Sequence, residues 1–308
     1  MSRESWDSTS RDSQSLLWID LDDPTDEQIA AIAEDFGFDS RAVASVKRAH
    51  GRPIVRVYRD HFVVTVQAIY VDDNSALHVH PIEIDVIVGR NVIVCLHPGP
   101  LPFSEELKER TASNPHIGAF DSAYGLSLLL DSMLDDYSQK LDRIEAHIEA
   151  LENRMVGSPG QRILRDVSQT RRYLQKLRRV LGPHREAFTM LTAPDSPINF
   201  LPDVDVQVFR DLVGRLDGLL LRLDHVRDIA ASTYDLYLSN MSYQTNQQLK
   251  VLTLLSAILM PMTLIVGLFG TNFKLAEYET AEPFYVMLAG MAALAVGMLF
   301  YFRYRHWL

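Results

Sequence analysis

The sequence predicts an α+β cytoplasmic domain with a mixed, largely antiparallel sheet, followed by a long stalk helix and two C-terminal transmembrane helices. Three observations carry this reading. Between Leu16 and Gly118, short β-like runs alternate with helical ones. No proline stands between Pro202 and Pro261, and a helical period of apolar residues runs through that interval. Two stretches lack any charged residue, 23 residues from Val251 to Phe273 and then Pro283 to Phe302. A bilayer core of roughly 30 Å needs about 20 apolar residues as helix, so each stretch is long enough to cross it. The 47% hydrophobic content of the whole chain averages a polar front part against this apolar tail.

Residues 1–13 are polar and Ser-rich with no apolar segment of the kind a signal peptide carries, and are expected to form a disordered tail. The α/β domain, 14–120, reads in order as LLWIDL, the helical DEQIAAIAEDFG and SRAVASVKR, then PIVRVY, HFVVTVQAIYV, IEIDVIVG and NVIVCLH, closed by FSEELKERT. Short turns at Asp72-Asp73-Asn74 and Gly89-Arg90-Asn91 make neighbouring strands antiparallel. The alternation is too irregular to fix strand order. The lone cysteine, Cys95, rules out a disulfide framework or a Cys-based zinc site and fits a reducing compartment.

Residues 121–202 are expected to form a pair of long antiparallel helices. The first has Leu126, Leu129, Leu130, Met133, Leu134, Tyr137, Leu141, Ile144, Ile148 and Leu151 at helical spacing and ends at Gly157-Ser158-Pro159-Gly160. The second runs from about Arg162 to Leu191. Eight acids against three bases on the first, and eight bases against one acid over 161–185, are expected to neutralise each other; a basic docking surface is the alternative. The stalk helix, 203–250, continues into the first span, and a helix from 203 to 270 is on the order of 100 Å long at about 1.5 Å per residue. A helix of that length is not expected to bury its apolar stripe alone, so association with copies of itself follows.

The first span is assigned to 251–271, the outer loop to 272–282, the second span to 283–302 and a basic C-terminus to 303–308. Lys250, Arg303, Arg305 and His306 flank the spans on one side, while Glu277, Glu279 and Glu282 outnumber Lys274 in the loop. The positive-inside rule then puts both termini in the cytoplasm of a two-pass inner-membrane protein. The formal net charge of −10 argues against nucleic acid as a partner and weakly favours cations. No nucleophile–base–orienter set and no phosphate-binding glycine loop stands in the sequence, so an enzyme is not expected.

Asn246, Leu249, Thr253, Ser256, Met260, Thr263, Gly267 and Gly270 recur at steps of three and four and share one helix face. Such small, weakly polar residues either line a narrow aqueous path or pack one membrane helix on another. Asp235 extends the same stripe, as either a carboxylate ring that needs a cation or a solvated surface acid. Gly270-Thr271-Asn272 is either a helix C-cap or an opening where the Asn272 amide accepts hydrogen bonds from a hydrated divalent ion. His78 and His80, with Glu83 and Asp85 close behind, offer zinc-type ligands, or are ordinary surface residues.

The combination of Asn246, Lys250-Val251-Leu252-Thr253, Pro261, Thr263, Gly267 and Gly270-x-Asn272-Phe273, with a second span and the basic end Arg303-Tyr304-Arg305-His306-Trp307-Leu308, closely resembles the CorA family of divalent metal ion transporters. Looser similarity extends through Asp135-Asp136-Tyr137, Leu141-Asp142, Ile144-Glu145 and Arg210-Asp211 to the strand-rich N-terminal region. The resemblance implies a funnel-shaped homopentamer embedded in lipid, carrying divalent cations and using no organic cofactor. It implies that Gly270, Thr271 and Asn272 form the selectivity entrance, and that Asn246, Leu249, Leu252, Thr253, Ser256, Met260 and Thr263 line the pore. It further implies that Asp235 gates the cytoplasmic mouth and that Asp211 with Asp131 holds a regulatory metal between subunits. Glu277, Glu279 and Glu282 would attract cations to the outer mouth. Thr271 stands where the family has methionine, and the loop KLAEYETAEP lacks the family's Met-Pro-Glu, a departure similar to the ZntB-like branch associated with zinc. The transported ion is therefore expected to be Mg²⁺ with Co²⁺ or Ni²⁺, or Zn²⁺ by a proton-coupled route. A non-conducting membrane-anchored coiled-coil scaffold or sensor is the rival.

Overall fold

The computed structural model describes residues 16–71, 79–112, 122–157, 161–196, 206–270 and 282–305. The chain divides into two compact units with the boundary between Tyr234 and Asp235.

The first unit holds one five-stranded sheet in the order β1-β5-β4-β3-β2. β2 (Ile54–Val57), β3 (Phe62–Val71), β4 (Val79–Val88) and β5 (Val92–His97) are antiparallel neighbours, and β1 (Leu17–Asp22) lies parallel to β5. The sheet is thus mixed and largely antiparallel, as expected. The parallel pair arises because the chain leaves β1 through α1 (Asp26–Phe36) and α2 (Ser40–Val46) before it returns. Thr25 starts α1 with a capping box, its hydroxyl accepting from the Gln28 N–H while Gln28 Oε1 accepts from the Thr25 N–H. Gly37 ends that helix at φ 69°, a left-handed conformation that favours glycine. The Gly89-Arg90-Asn91 turn joins β4 to β5 as expected, with the Gly89 N–H donating to the Val92 carbonyl. The Asp72-Asp73-Asn74 turn and the 1–13 tail lie outside the described residues.

Period-two alternation gives the sheet two buried faces. Val63, Ile87, Val94 and Leu96 pack with Ile29 of α1 and Ala42 of α2. Val64, Val66, Val86, Val88, Ile93 and Cys95 face a larger core. That core is built from α3 (Ser104–Ala112), α4 (Ser122–Gly157), α5 (Gln161–Leu181), α6 (His184–Thr192) and the first part of α7 (Val206–Phe269). Leu126, Leu129, Leu130, Met133, Leu134 and Tyr137 of α4 are at most 1% exposed. Each such side chain stabilises the fold by about 2 kcal/mol relative to its exposed state.

Three expectations need correction. The second helix of the pair is two helices, broken at Gly182 and Pro183, because proline has no N–H to continue the ladder and clashes with the preceding turn. The break aims His184 at the sheet. Its Nε2 accepts from the Gln67 N–H at 3.0 Å, and its Nδ1 is 3.0 Å from the Val180 carbonyl. The Tyr137 hydroxyl donates to the Gln67 carbonyl at 2.7 Å. β2 stops opposite Thr65, so these two side chains satisfy backbone groups of β3 beyond the end of its neighbour. Burial holds His184 neutral, with its pKa lowered to about 4.

Secondly, α4 and α5 do not neutralise each other. Among the described residues, the ion pair found between them, Arg154 to Asp166 at 4.0 Å, has the base on α4 and the acid on α5. The α4 acids turn to α7 instead: Arg215 takes Asp131 and Asp135, and Arg222 takes Asp142 and Glu145. Arg178 of α5 likewise pairs with Asp224 of α7. Thirdly, the upper stripe of α7 needs no copy of itself. Phe209, Leu212, Leu216, Leu220, Leu223, Val226 and Ala230 are buried within the first unit. A helix can satisfy its apolar face on its own chain when the preceding helices present a matching face.

α7 is continuous for 64 residues, with Pro261 inside it. In the second unit it is accompanied by α8 (Glu282–Tyr304). Both helices are long and apolar enough to cross a membrane.

Candidate ion path and acid clusters

In the second unit, α7 has a covered side and a bare side. Leu254 is buried, and Ala257, Ile258, Pro261, Met262 and Ile265 are half-buried. These positions lie on one helix face. Asn246, Leu249, Thr253, Ser256, Met260, Thr263, Gly267 and Gly270 are all exposed and fall on the far side, and Leu252 borders them. Met260 is 72% exposed. A Cβ added at Gly267 would meet nothing within 4 Å, so the room this glycine leaves is not used by its own chain.

The hydroxyls of this face have a defined polarity. Thr253 Oγ1 donates to the Leu249 carbonyl at 2.7 Å and Thr263 Oγ1 to the Leu259 carbonyl at 2.9 Å. With the proton spent on the helix, each threonine turns only acceptor lone pairs outward, the half of a hydroxyl that suits a cation or the waters around it. At the end of the helix, the Gly270 N–H still donates to the Val266 carbonyl at 2.8 Å. Thr271, Asn272, Glu277 and Glu279 lie outside the described residues, as does the side chain of Glu282. Asp235 is exposed.

In the first unit, a cleft of about 250 Å³ between α4 and α7 is lined by Asp131 of the one and Asp211 of the other, beside Tyr124, Ser127 and Val208. The two acids differ. Asp211 is exposed, whereas both oxygens of Asp131 are already held by guanidinium groups, Oδ2 by Arg110 at 3.0 Å and Oδ1 by Arg215. The same two arginines also hold Asp135.

Of the two readings of the strand histidines, zinc-type ligands or ordinary surface residues, the described residues favour the second for His80. His78 lies outside the described residues, and His80 is exposed opposite Tyr70. Glu83 and Asp85 project from the other face of β4, because odd and even positions of a strand point apart. There they meet His50, from the loop after α2. One ligand atom from each of His50, Glu83 and Asp85 lies within 4.8 Å of the others. Glu83 is fixed by the backbone N–H groups of His50 and Gly51, both at 2.8 Å. Asp85 accepts from Thr65 Oγ1 at 2.5 Å. Arg56 Nη1 stands 2.6 Å from His50 Nε2 and donates to Ser45 Oγ at 2.7 Å. Burial, reinforced by the charge of Glu83, pushes the Asp85 carboxyl up to about 7, against the pull of Thr65 and Arg56. His50 escaped the sequence reading because it is 33 residues from Glu83, and only the pairing of β3 with β4 and the loop after α2 join them.

A soluble-type α/β unit whose last long helix runs on into one of two bilayer-length apolar helices defines an integral membrane protein. The sequence pattern of the CorA-like Mg²⁺ transporter proteins matches residues 13–304, and the chain belongs to that family. It is 28% identical over 301 residues to a cobalt/magnesium transport protein CorA of Thermotoga maritima, covering 97% of this chain and 85% of that one. A magnesium transporter of Saccharomyces cerevisiae is 19% identical, covering 97% of this chain and 41% of its own length. The fold is similar to the complete CorA magnesium transporter of Methanocaldococcus jannaschii, with a TM-score of 0.80 at 20% identity over 94% of this chain and 91% of that one. It is also similar to the ZntB cytoplasmic domain of Vibrio parahaemolyticus, at 0.59 and 16% identity over 73% of this chain and 88% of that domain.

Proposed function

We propose that five copies of this chain assemble as a funnel-shaped homopentamer in the cytoplasmic membrane, with both termini inside, and conduct divalent cations along the axis between their α7 helices. The observation that carries this reading is the bare face of α7, where Asn246, Thr253, Ser256, Thr263 and Gly267 stay uncovered by the chain's own second span. Threonine oxygens that only accept are suited to the waters of a cation passing in its hydration shell, and Mg²⁺ in particular gives up waters reluctantly. Leu249, Leu252 and Met260 supply apolar constrictions on the same path. Gly270, Thr271 and Asn272 form the outer entrance, where a ring of carboxamides accepts hydrogen bonds from the arriving ion's waters. Glu277, Glu279 and Glu282 raise the local cation concentration by an attraction that salt weakens. The cargo is Mg²⁺ with Co²⁺ or Ni²⁺, or Zn²⁺ coupled to protons, and no organic cofactor takes part.

Asp235, repeated around the axis, forms the inner acid ring. Asp211 supplies the free carboxylate of a regulatory metal site between subunits; Asp131 joins it only by exchanging Arg110 or Arg215 for the ion. Loss of cytoplasmic metal then leaves like charges facing one another and loosens the assembly.

Flux tests the proposal. Purified protein in liposomes loaded with a Mg²⁺- or Zn²⁺-sensitive dye should pass ions, and Asn272→Ala should abolish uptake. Silence of the wild type with both ions, over a range of internal metal, would leave the scaffold reading in its place. Uptake of each metal with and without an imposed pH gradient separates channel-like from proton-coupled movement. Asp235→Ala and Asp211→Ala are expected to raise flux at high internal metal.

A further inference from the structure

We propose that His50, Glu83 and Asp85 form a second divalent-cation site, inside the α/β unit and separate from the conduction path, which takes up a zinc-type ion in exchange for the Arg56 guanidinium. The donor set is one imidazole nitrogen and two carboxylates within mutual reach of 4.8 Å, with a fourth position left for water. That mixture matches Zn²⁺ better than Mg²⁺, which favours oxygen ligands alone.

The surroundings are built rather than incidental. Asp85 is 6% exposed, and Thr65 holds one of its oxygens, which orients the other. Glu83 is clamped by two backbone N–H groups of the loop that carries His50, so ligand and loop are positioned together. None of these three partners is itself charged, so none of them neutralises an ionised carboxylate of the site.

The charge count favours an additional cation. When both are ionised, the two carboxylates outnumber the guanidinium described in this half-buried corner, that of Arg56, which lies 2.6 Å and 3.2 Å from the two ring nitrogens of His50. Arg56 sits on β2, the four-residue strand at the sheet edge, where its long side chain has a way out to solvent. A divalent ion carries twice the charge in a smaller volume and adds a bond to nitrogen that a guanidinium cannot make. Binding therefore expels Arg56 and leaves Glu83 anchoring the loop as before. Exchange of this kind also frees Ser45, whose hydroxyl accepts from Arg56 at 2.7 Å at the end of α2. The site couples ion occupancy to the packing of α2 and β2 on the sheet.

Equilibrium dialysis of the full-length protein in detergent against buffered Zn²⁺ tests this, with no gradient and hence no dependence on conduction. His50→Ala and Asp85→Asn should each bind one ion per chain fewer than the wild type. Arg56→Gln, which removes the competing cation, should bind that ion about tenfold tighter. Asp85→Asn is isosteric and keeps the Thr65 contact, so it carries the test if His50→Ala fails to fold; circular dichroism melting reports which variants are native. Equal stoichiometry in the wild type and Asp85→Asn would overturn the site. Loss of the ion in Asp85→Asn with unchanged affinity in Arg56→Gln would overturn the exchange.

Discussion

Phe209, Leu212, Leu216, Leu220, Leu223, Val226 and Ala230 of α7 are at most 6% exposed, whereas Leu252, Leu255, Leu259 and Leu264 further along the same helix are at least 52% exposed. Composition does not account for the contrast, since leucine dominates both stretches. The difference is in the neighbours. In the α/β unit, α4 and α5 present an apolar face and a set of charges cut to fit α7. In the membrane unit α8 covers one side only. At about 25 cal/mol for each Å² of apolar surface, such exposure is sustainable only in lipid or against other chains. One unit is finished by its own sequence; the other is a part awaiting its surroundings.

Mutations can sharpen or break that contrast. The largest effect is expected at His184, where replacement by Ala opens a cavity and strands the Gln67 N–H, lowering stability by about 4 kcal/mol; a melting curve no different from the wild type would mean the hydrogen bond is idle. Acidification should act through the same residue. Its pKa in the fold is about 4, below the ordinary value of 6.5, so its contribution is complete above 6.5 and fades as pH falls towards 4, by about 3 kcal/mol. Asp85 works the other way: raised from 3.8 to about 7, its contribution is complete below 3.8 and fades as pH rises through 7. The two offset each other between pH 4 and 7, so Asp85→Asn should expose the loss on acidification that the wild type hides, read as a melting temperature that falls more steeply with pH.

A matched pair of glycines puts the comparison to work. A Cβ at Gly125 of α4 would lie 2.6 Å from Ile93 Cδ1 and 3.0 Å from Leu16 Cδ2, and Gly125→Val should cost about 2 kcal/mol of stability with little effect on conduction per folded protein. Gly267→Val, with open space around it, should leave melting unchanged and reduce flux. A reversal of those outcomes would mean that the bare face of α7 is not the working face. The smallest effect is expected at Arg215, 42% exposed, whose removal should lower stability by about 1 kcal/mol after allowance for solvent screening. Addition of Mg²⁺ should restore that loss if the freed Asp131 can take an ion.

The strands, the helices and the two apolar spans were legible because each rests on a local period, of two or of about 3.6 residues. The bare stripe of α7 was legible for the same reason. Three things were not. The partners of the α4 acids depend on which helix lies alongside, and α7 follows them by some 80 residues. The break at Pro183 was written in the sequence but outweighed by the apolar period on either side of it. The meeting of His50 with Glu83 and Asp85 depends on strand parity, which sets those acids back to back with the more conspicuous His80.

Beyond Thr65, the outer margin of β3 runs on with no strand beside it among the described residues. At Gln67 the backbone donor and acceptor that a foreign strand would seek are already occupied, by an imidazole and a phenol too bulky to yield their places. Strand addition at Gln67 is thereby blocked. That plug guards the sheet against the wrong kind of self-recognition.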